Sequence, residues 1–189
     1  MNLKDYIFKK NCISEESCFK VIEYIKRQPW KKHTWSTYYR QGDDSVKIEF
    51  LSYDQKELNT LDADDFCSSV LKDNVISTLQ NYITIMKNKV TINQFSQIRF
   101  NHYPSGTMMR KHYDHISTLF DGTLKGVPLL SVVGALNDDY SGGEFVFFDD
   151  YKIELNRGDI MVFPSSFMFE HEVKEITNGD RFSFVTWAF

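Results

Sequence analysis

His112 and Asp114 stand two positions apart, and His171 is followed ten residues later by Arg181. Two imidazoles and one carboxylate can hold a single divalent ion from one side and leave the opposite positions open. That ligand set suits ferrous iron, with the open positions free for a bidentate organic acid and dioxygen. On an extended strand, residues i and i+2 project from one face, so His112 and Asp114 converge while Tyr113 turns away. The second histidine must come from another strand, and His171 opens the stretch His171-Glu172-Val173. Alone, an H-x-D tripeptide arises by chance in many chains, and a solitary histidine is more often a surface or capping residue. The order and context of all the parts carry the weight.

Holding ligands from separate stretches requires a strand-rich frame, and the composition agrees with one. The chain has 189 residues, 42% apolar and 15% aromatic, with 16 Phe and 10 Tyr. That length suits one unit, residues 1–189, and the aromatic excess favours strands around a cavity over a helical bundle. From Thr91 onward the hydrophobic period is two, broken by Gly, Pro, Asn and Asp. This predicts strands over 95–103, 111–115, 129–137, 144–148, 151–155, 159–163, 170–176 and 180–188, hence a double-stranded β-helix (jelly roll, cupin-like) over 95–189.

Residues 1–94 read as a supporting layer. Ser14 caps a helix with Glu15 and Glu16 in its first turn, an apolar stripe of Cys18, Val21, Ile22 and Ile25, and Gln28-Pro29 as its stop. Two alternating runs, His33 to Tyr39 and Val46 to Phe50, predict strands around a polar loop containing Gly42. Residues 64–87 are helical by the spacing of Phe66, Val70, Leu71, Val75, Leu79, Tyr82, Ile83 and Met86, with Asp73-Asn74 a candidate break into two helices. The expected fold is mainly β, with N-terminal helices packed on the outer face of one sheet.

Strand parity predicts one turn. A three-residue loop, Thr177-Asn178-Gly179 with Gly179 left-handed, pairs Ile176 with Asp180 and keeps His171 and Arg181 on one inner face. A two-residue loop would separate them. The same parity turns Ser183, Val185 and Trp187 inward and leaves Phe182 and Phe184 outside, to be covered by the helices.

Several classes are disfavoured. The net charge of −4 gives no global footprint for nucleic acid. Cys12, Cys18 and Cys67 are odd in number and lack C-x-x-C spacing, which fits a reducing, cytoplasmic setting better than a disulfide framework. No apolar run approaches the length of a membrane span.

Gly158-Asp159-Ile160-Met161-Val162-Phe163-Pro164 forms a turn, a buried strand and a proline stop shortly before His171, and Asn178-Gly179-Asp180-Arg181 feeds the last strand. With the H-x-D pair, these motifs resemble the 2-oxoglutarate oxygenase superfamily, and within it the prolyl 4-hydroxylase-like group, over roughly residues 95–189. The resemblance implies Fe(II) held by His112, Asp114 and His171, and 2-oxoglutarate whose distal carboxylate meets Arg181. Physical chemistry supports that role, since a buried carboxylate is costly unless paired and a guanidinium offers a bidentate fork. It also implies that Tyr103 hydrogen-bonds the cosubstrate and that Trp187 and Phe145 line its pocket; a plain core role suits Tyr103 and Trp187 equally well. Ala135 departs from relatives that carry a cosubstrate-binding tyrosine there. His102 and His115 break the parity and read as non-ligands.

The activity implied by the resemblance is an Fe(II)- and 2-oxoglutarate-dependent dioxygenase, a hydroxylase that consumes O2 and releases succinate and CO2, with ascorbate an optional reductant. A prolyl or other protein residue is the first substrate class and a free amino acid or other small molecule the second. Nucleic-acid dealkylation is third, disfavoured by the acidic balance and by the lack of a second arginine after Arg181. A non-catalytic cupin-like metal-binding protein stays open. Tyr39 to Asp44 and Ile116 to Val127 are candidate lids, with Tyr38, Arg40 and Arg110 as candidate substrate contacts. A monomer or weak dimer is expected.

Overall fold

Side chains along the central strands of the main sheet alternate between two buried clusters, and this alternation organises the molecule. The computed structural model describes residues 2–41, 45–51, 56–87, 89–114 and 128–189, with only the backbone at 36–41 and 45–51. In chain order, a 3-10 turn at Leu3–Tyr6 precedes β1 (Phe8–Asn11), α1 (Glu15–Ile25), β2 (Lys31–Lys32), β3 (Trp35–Gln41), β4 (Ser45–Leu51), β5 (Asn59–Asp62) and α2 (Asp65–Ile85). Then follow β6 (Arg99–Tyr103), β7 (Met109–His112), β8 (Leu130–Ala135), β9 (Ser141–Gly142), β10 (Phe145–Phe147), β11 (Tyr151–Ile153), β12 (Asp159–Pro164), β13 (His171–Val173), β14 (Ile176–Asn178) and β15 (Arg181–Ala188).

A seven-stranded sheet runs β1-β12-β8-β15-β6-β5-β2 and a four-stranded sheet runs β11-β10-β13-β7. Residues from both meet in one cluster: Tyr103, Val133, Met161, Phe163, Val185 and Trp187 from the large sheet, Met109, Phe145, Phe147 and Val173 from the small one. This is the expected jelly roll. The N-terminal half does more than support it, because β1, β2 and β5 extend the large sheet on its two flanks.

The opposite face of the large sheet is covered as parity requires. Phe182 and Phe184 join Phe100, Ile160 and Val162 against α1 and α2, while Val185 and Trp187 face the other way. Ser14 caps α1 by accepting from the Ser17 N–H, and the buried residues of α1 are Cys18, Val21, Ile22 and Ile25. Asp64 caps α2, and the candidate break at Asp73-Asn74 does not occur: α2 is one helix. Leu71 and Val75 are buried on either side of that pair, and the Asn74 carbonyl accepts from Thr78 Oγ1 at 2.7 Å, so the polar residues sit on an outward face without breaking the ladder. Among the described residues no helix is long and apolar enough to cross a membrane.

The predicted Thr177-Asn178-Gly179 hairpin is overturned. β13 pairs with β10 and β7, whereas β15 lies between β8 and β6 in the other sheet. The predicted strand over 170–176 stops at Val173, and β14 pairs with β9 as the chain crosses between sheets. Gly179 is left-handed as expected (φ 79°), but His171 and Arg181 share the interior because the two sheets face each other, not because one hairpin joins them. The β3–β4 pair matches the two early strands. The Gly42 loop and the 116–127 candidate lid lie outside the described residues, as do the side chains of Tyr38 and Arg40 and all of His115.

Candidate metal centre

Pairing of β7 with β13 sets His112 directly opposite His171, with ring centroids 4.3 Å apart. The strand predicted over 111–115 ends early, at His112, so Asp114 sits just beyond it. Its carboxylate nevertheless meets both rings: Oδ1 is 3.4 Å from His112 Nε2 and 3.9 Å from His171 Nε2. All three ligand atoms lie within 4.8 Å of one another. Two atoms bound at right angles to a metal at about 2.1 Å stand about 3 Å apart, so a small inward adjustment seats one ion.

Backbone carbonyls fix which imidazole nitrogen faces the site. His112 Nδ1 donates to the Arg110 carbonyl at 2.8 Å and His171 Nδ1 to that of Phe169 at 2.9 Å, which turns both Nε2 atoms toward Asp114. Phe145 stacks on His171 at 5.1 Å and 12°, and Phe163 meets it edge-on at 5.0 Å. That burial, reinforced by His112, pulls His171 down to about 4. Burial pushes the Asp114 carboxyl up, but the His171 and His112 rings and the Ser131 hydroxyl more than reverse this and hold it below the usual carboxylate range. Neutral imidazoles beside an ionised carboxylate are the protonation state a divalent metal needs. Trp35 stands edge-on to His112 at 5.2 Å and is itself held by donating from Nε1 to Glu57 at 2.8 Å.

A pH dependence follows. His33 lies near His112, and burial, with the charges of Arg99, His112 and Arg110, lowers it to about 3. For His33 and His171 the folded pKa lies below the unfolded value of about 6.5. Their contribution is therefore fully present above pH 6.5 and is lost as pH falls toward the folded values near 4 and 3. At about 1.4 kcal/mol per unit, the metal-free protein should lose a few kcal/mol between pH 7 and pH 4. Urea unfolding at those two pH values reads this directly; equal stabilities would contradict it.

Arg181 is fully buried, at 1% exposure. Its Nε donates to the Tyr140 hydroxyl at 3.2 Å, its Nη1 to Ser183 Oγ at 3.1 Å, and its guanidinium lies 4.8 Å over the Tyr103 ring. No carboxylate among the described residues is within ion-pair distance. One narrow cavity is lined by His112, Asp114, His171, Arg181, Tyr103, Phe145 and Trp187, so every predicted site residue borders it. A larger cavity of about 540 Å³ shares Phe145 and Arg181 with it but contains no metal-ligand set. His102 turns to the helix side, stacked on Phe182 at 4.5 Å, which agrees with its reading as a non-ligand.

Sequence reasoning missed Tyr140, Ser131, Arg99 and Asn101. Tyr140 holds Arg181 from the loop before β9, a contact that no spacing announces. Arg99 and Asn101 were within reach, because they share the inward parity of Tyr103 on β6 and also line the narrow cavity. Arg110, a candidate substrate contact, lies 4.5 Å over Trp35 and does not line that cavity.

Comparison with known proteins agrees with this picture. Residues 98–189 match the model of the 2OG-Fe(II) oxygenase superfamily. A PKHD-type hydroxylase of Psychrobacter sp. (strain PRwf-1) is 41% identical over 64 residues, 31% of this chain and 24% of that protein. One of Paraburkholderia phytofirmans is 31% identical over 101 residues, 51% of this chain and 44% of that protein. The chain thus spans less than half the length of these curated relatives. Among solved structures, a Pseudomonas putida prolyl-4-hydroxylase superposes with a TM-score of 0.65 at 17% identity, covering 97% of this chain and 91% of that one. A prolyl hydroxylase from Trichoplax adhaerens, in complex with a hypoxia inducible factor peptide fragment, gives 0.69 at 16% identity, covering 98% and 84%. The structural likenesses bear on the fold.

Proposed function

We propose, from the premise that residues 98–189 belong to the 2OG-Fe(II) oxygenase superfamily, that the protein is an Fe(II)- and 2-oxoglutarate-dependent dioxygenase. It hydroxylates an unactivated C–H bond of a prolyl or other protein residue. The overall change converts R–H, 2-oxoglutarate and O2 into R–OH, succinate and CO2. Residues 1–189 act as one oxygenase unit, as a monomer or weak dimer, and the unpaired Cys12, Cys18 and Cys67 suit a cytoplasmic setting.

One observation carries this reading: a buried guanidinium with no counter-ion among the described residues borders the same cavity as a His-Asp-His set able to hold one metal. His112, Asp114 and His171 would hold Fe(II), and Arg181 would receive the distal carboxylate of 2-oxoglutarate. Ferrous iron supplies the dioxygen chemistry when bound. The chain's own residues orient and exclude water. The Arg110 and Phe169 carbonyls aim the imidazoles, the Phe145, Phe147 and Phe163 wall keeps the His171 side dry, and Tyr140 with Ser183 holds the Arg181 fork in place. Tyr103, with its phenol kept neutral by burial, and Phe145 and Trp187 line the cosubstrate's cavity. The peptide bound to the Trichoplax adhaerens prolyl hydroxylase, which is alike in fold, supports the choice of a protein residue as substrate.

The reading is tested by succinate formation from 2-oxoglutarate with Fe(II), with and without prolyl peptides. Arg181→Met removes a charge-assisted pair of about 1.5–3 kcal/mol. It should raise the KM for 2-oxoglutarate about 10- to 100-fold at 1.4 kcal/mol per decade. An unchanged KM would remove Arg181 from the cosubstrate site.

A further inference from the structure

β6 and β15 run antiparallel, with Arg181 opposite Tyr103, Ser183 opposite Asn101 and Val185 opposite Arg99. The inward row of β6 therefore reads Tyr103, Asn101, Arg99, away from the Arg181 end of the cavity. At about 3.3 Å per residue, Arg99 starts about 13 Å along the strand from the level of Arg181. It is a second guanidinium in the same cavity, at the other end, and its CZ lies 5.0 Å from the Trp187 ring.

Three polar atoms at this end lack partners. Arg99 Nε, Asn101 Oδ1 and Trp187 Nε1 are all enclosed and make no hydrogen bond among the described residues. Asn101 and Trp187 are 6% and 9% exposed. Buried donors and acceptors are nearly always paired in native proteins, so three orphans lining one cavity mark where a bound group belongs. The carboxylates that act on Arg99 are Asp114, across the cavity, and Asp62, its exposed register partner on β5, and neither is within ion-pair distance. A metal would take up the charge of Asp114. Arg99, half-buried with its Nε enclosed, would then face the cavity as a cation with no counter-ion among the described residues, which is costly until an anion arrives.

We propose that Arg99, with Asn101 and Trp187, forms a subsite that binds a carboxylate of the substrate, so that the oxidised carbon belongs to a free amino acid or to the C-terminal residue of a peptide. This rests on the oxygenase reading but changes its substrate class, from any protein residue to molecules that present a free carboxylate beside the oxidised carbon. The guanidinium fork and the indole N–H are donors matched to carboxylate oxygens, whereas Asn101 Oδ1 is an acceptor matched to an N–H of the same substrate. The pocket is built for an end of a molecule, because an internal peptide segment offers no negative charge to Arg99.

The test uses the full chain loaded with Mn(II) and 2-oxoglutarate, and reads thermal stabilisation by paired probes: L-proline against L-prolinamide, and glycyl-L-proline against its amide. The expected result is a rise in melting temperature with a carboxylate probe, absent with its amide and absent in Arg99→Met. Stabilisation by 2-oxoglutarate itself should persist in that variant. Response to L-proline alone identifies a free amino acid, and response to glycyl-proline alone identifies a peptide terminus. Equal shifts from carboxylate and amide, no shift from either carboxylate, or a carboxylate shift retained in Arg99→Met would overturn the subsite. Arg99→Met alone should melt no lower than wild type, since it removes a half-buried cation that has no ion pair among the described residues; a sharp drop would make Arg99 a structural partner of Asp114 and also overturn it. If the wild-type protein binds neither Mn(II) nor 2-oxoglutarate, the oxygenase reading fails instead, and that outcome is recorded before any probe is added.

Discussion

Asp114→Ala should reduce 2-oxoglutarate-dependent succinate formation at least a hundredfold while leaving the fold intact. Loss of a group that merely orients a metal ligand already costs about 10- to 100-fold in metal affinity or activity. Asp114 is the only acidic ligand in the set, so its removal takes away the charge as well as a coordination position. The fold should survive because Asp114 lies beyond the end of β7 and pairs no strand. Circular dichroism and the urea midpoint report the fold, and metal content by mass spectrometry reports the site. Retained succinate formation at wild-type rates would remove Asp114 from the centre.

Phe184→Ala should be among the most damaging single changes to stability, at about 3–5 kcal/mol. Phe184 is fully buried in the cluster between the large sheet and the two helices, and its ring lies across Gly134 of the neighbouring strand, its register partner. A Cβ at position 134 would run into that ring. Gly134→Ala should therefore destabilise by about 1–3 kcal/mol through overpacking, and Phe184→Leu in the same chain should recover part of the loss. In a protein of this size each kcal/mol shifts the melting temperature by about 2–4 °C, so Phe184→Ala should lower it by roughly 10 °C. A melting point within a degree of wild type would mean that the ring does not hold the helices on the sheet.

The contrast between Phe184 and Arg181 shows what was legible in the sequence. Both lie on β15, and the period of two sent them to opposite faces correctly, because parity depends only on the strand's own pleat. The predicted loop at Thr177-Asn178-Gly179 failed for the complementary reason: which strand a segment pairs with depends on distant partners, here β9 for β14. That His112, Asp114 and His171 come together was readable because a candidate ligand set needs particular residue types at particular spacings. Arg99 and Asn101 passed unnoticed although their parity matched Tyr103, since an arginine near a strand start looks like a solvated end until β5 pairs alongside it and its Nε is enclosed. The continuity of α2 through Asp73-Asn74 was likewise set by burial of Leu71 and Val75 on one face, which outweighs two weak helix formers on the other.

The most direct test of the account is an anaerobic titration of the full chain with Fe(II) and then 2-oxoglutarate, followed by calorimetry. The account predicts one iron per chain, one 2-oxoglutarate bound only after iron, and weakening of that second step in Arg181→Met. Iron binding undiminished when His112, Asp114 and His171 are each replaced by Ala, or 2-oxoglutarate binding indifferent to iron, would contradict it.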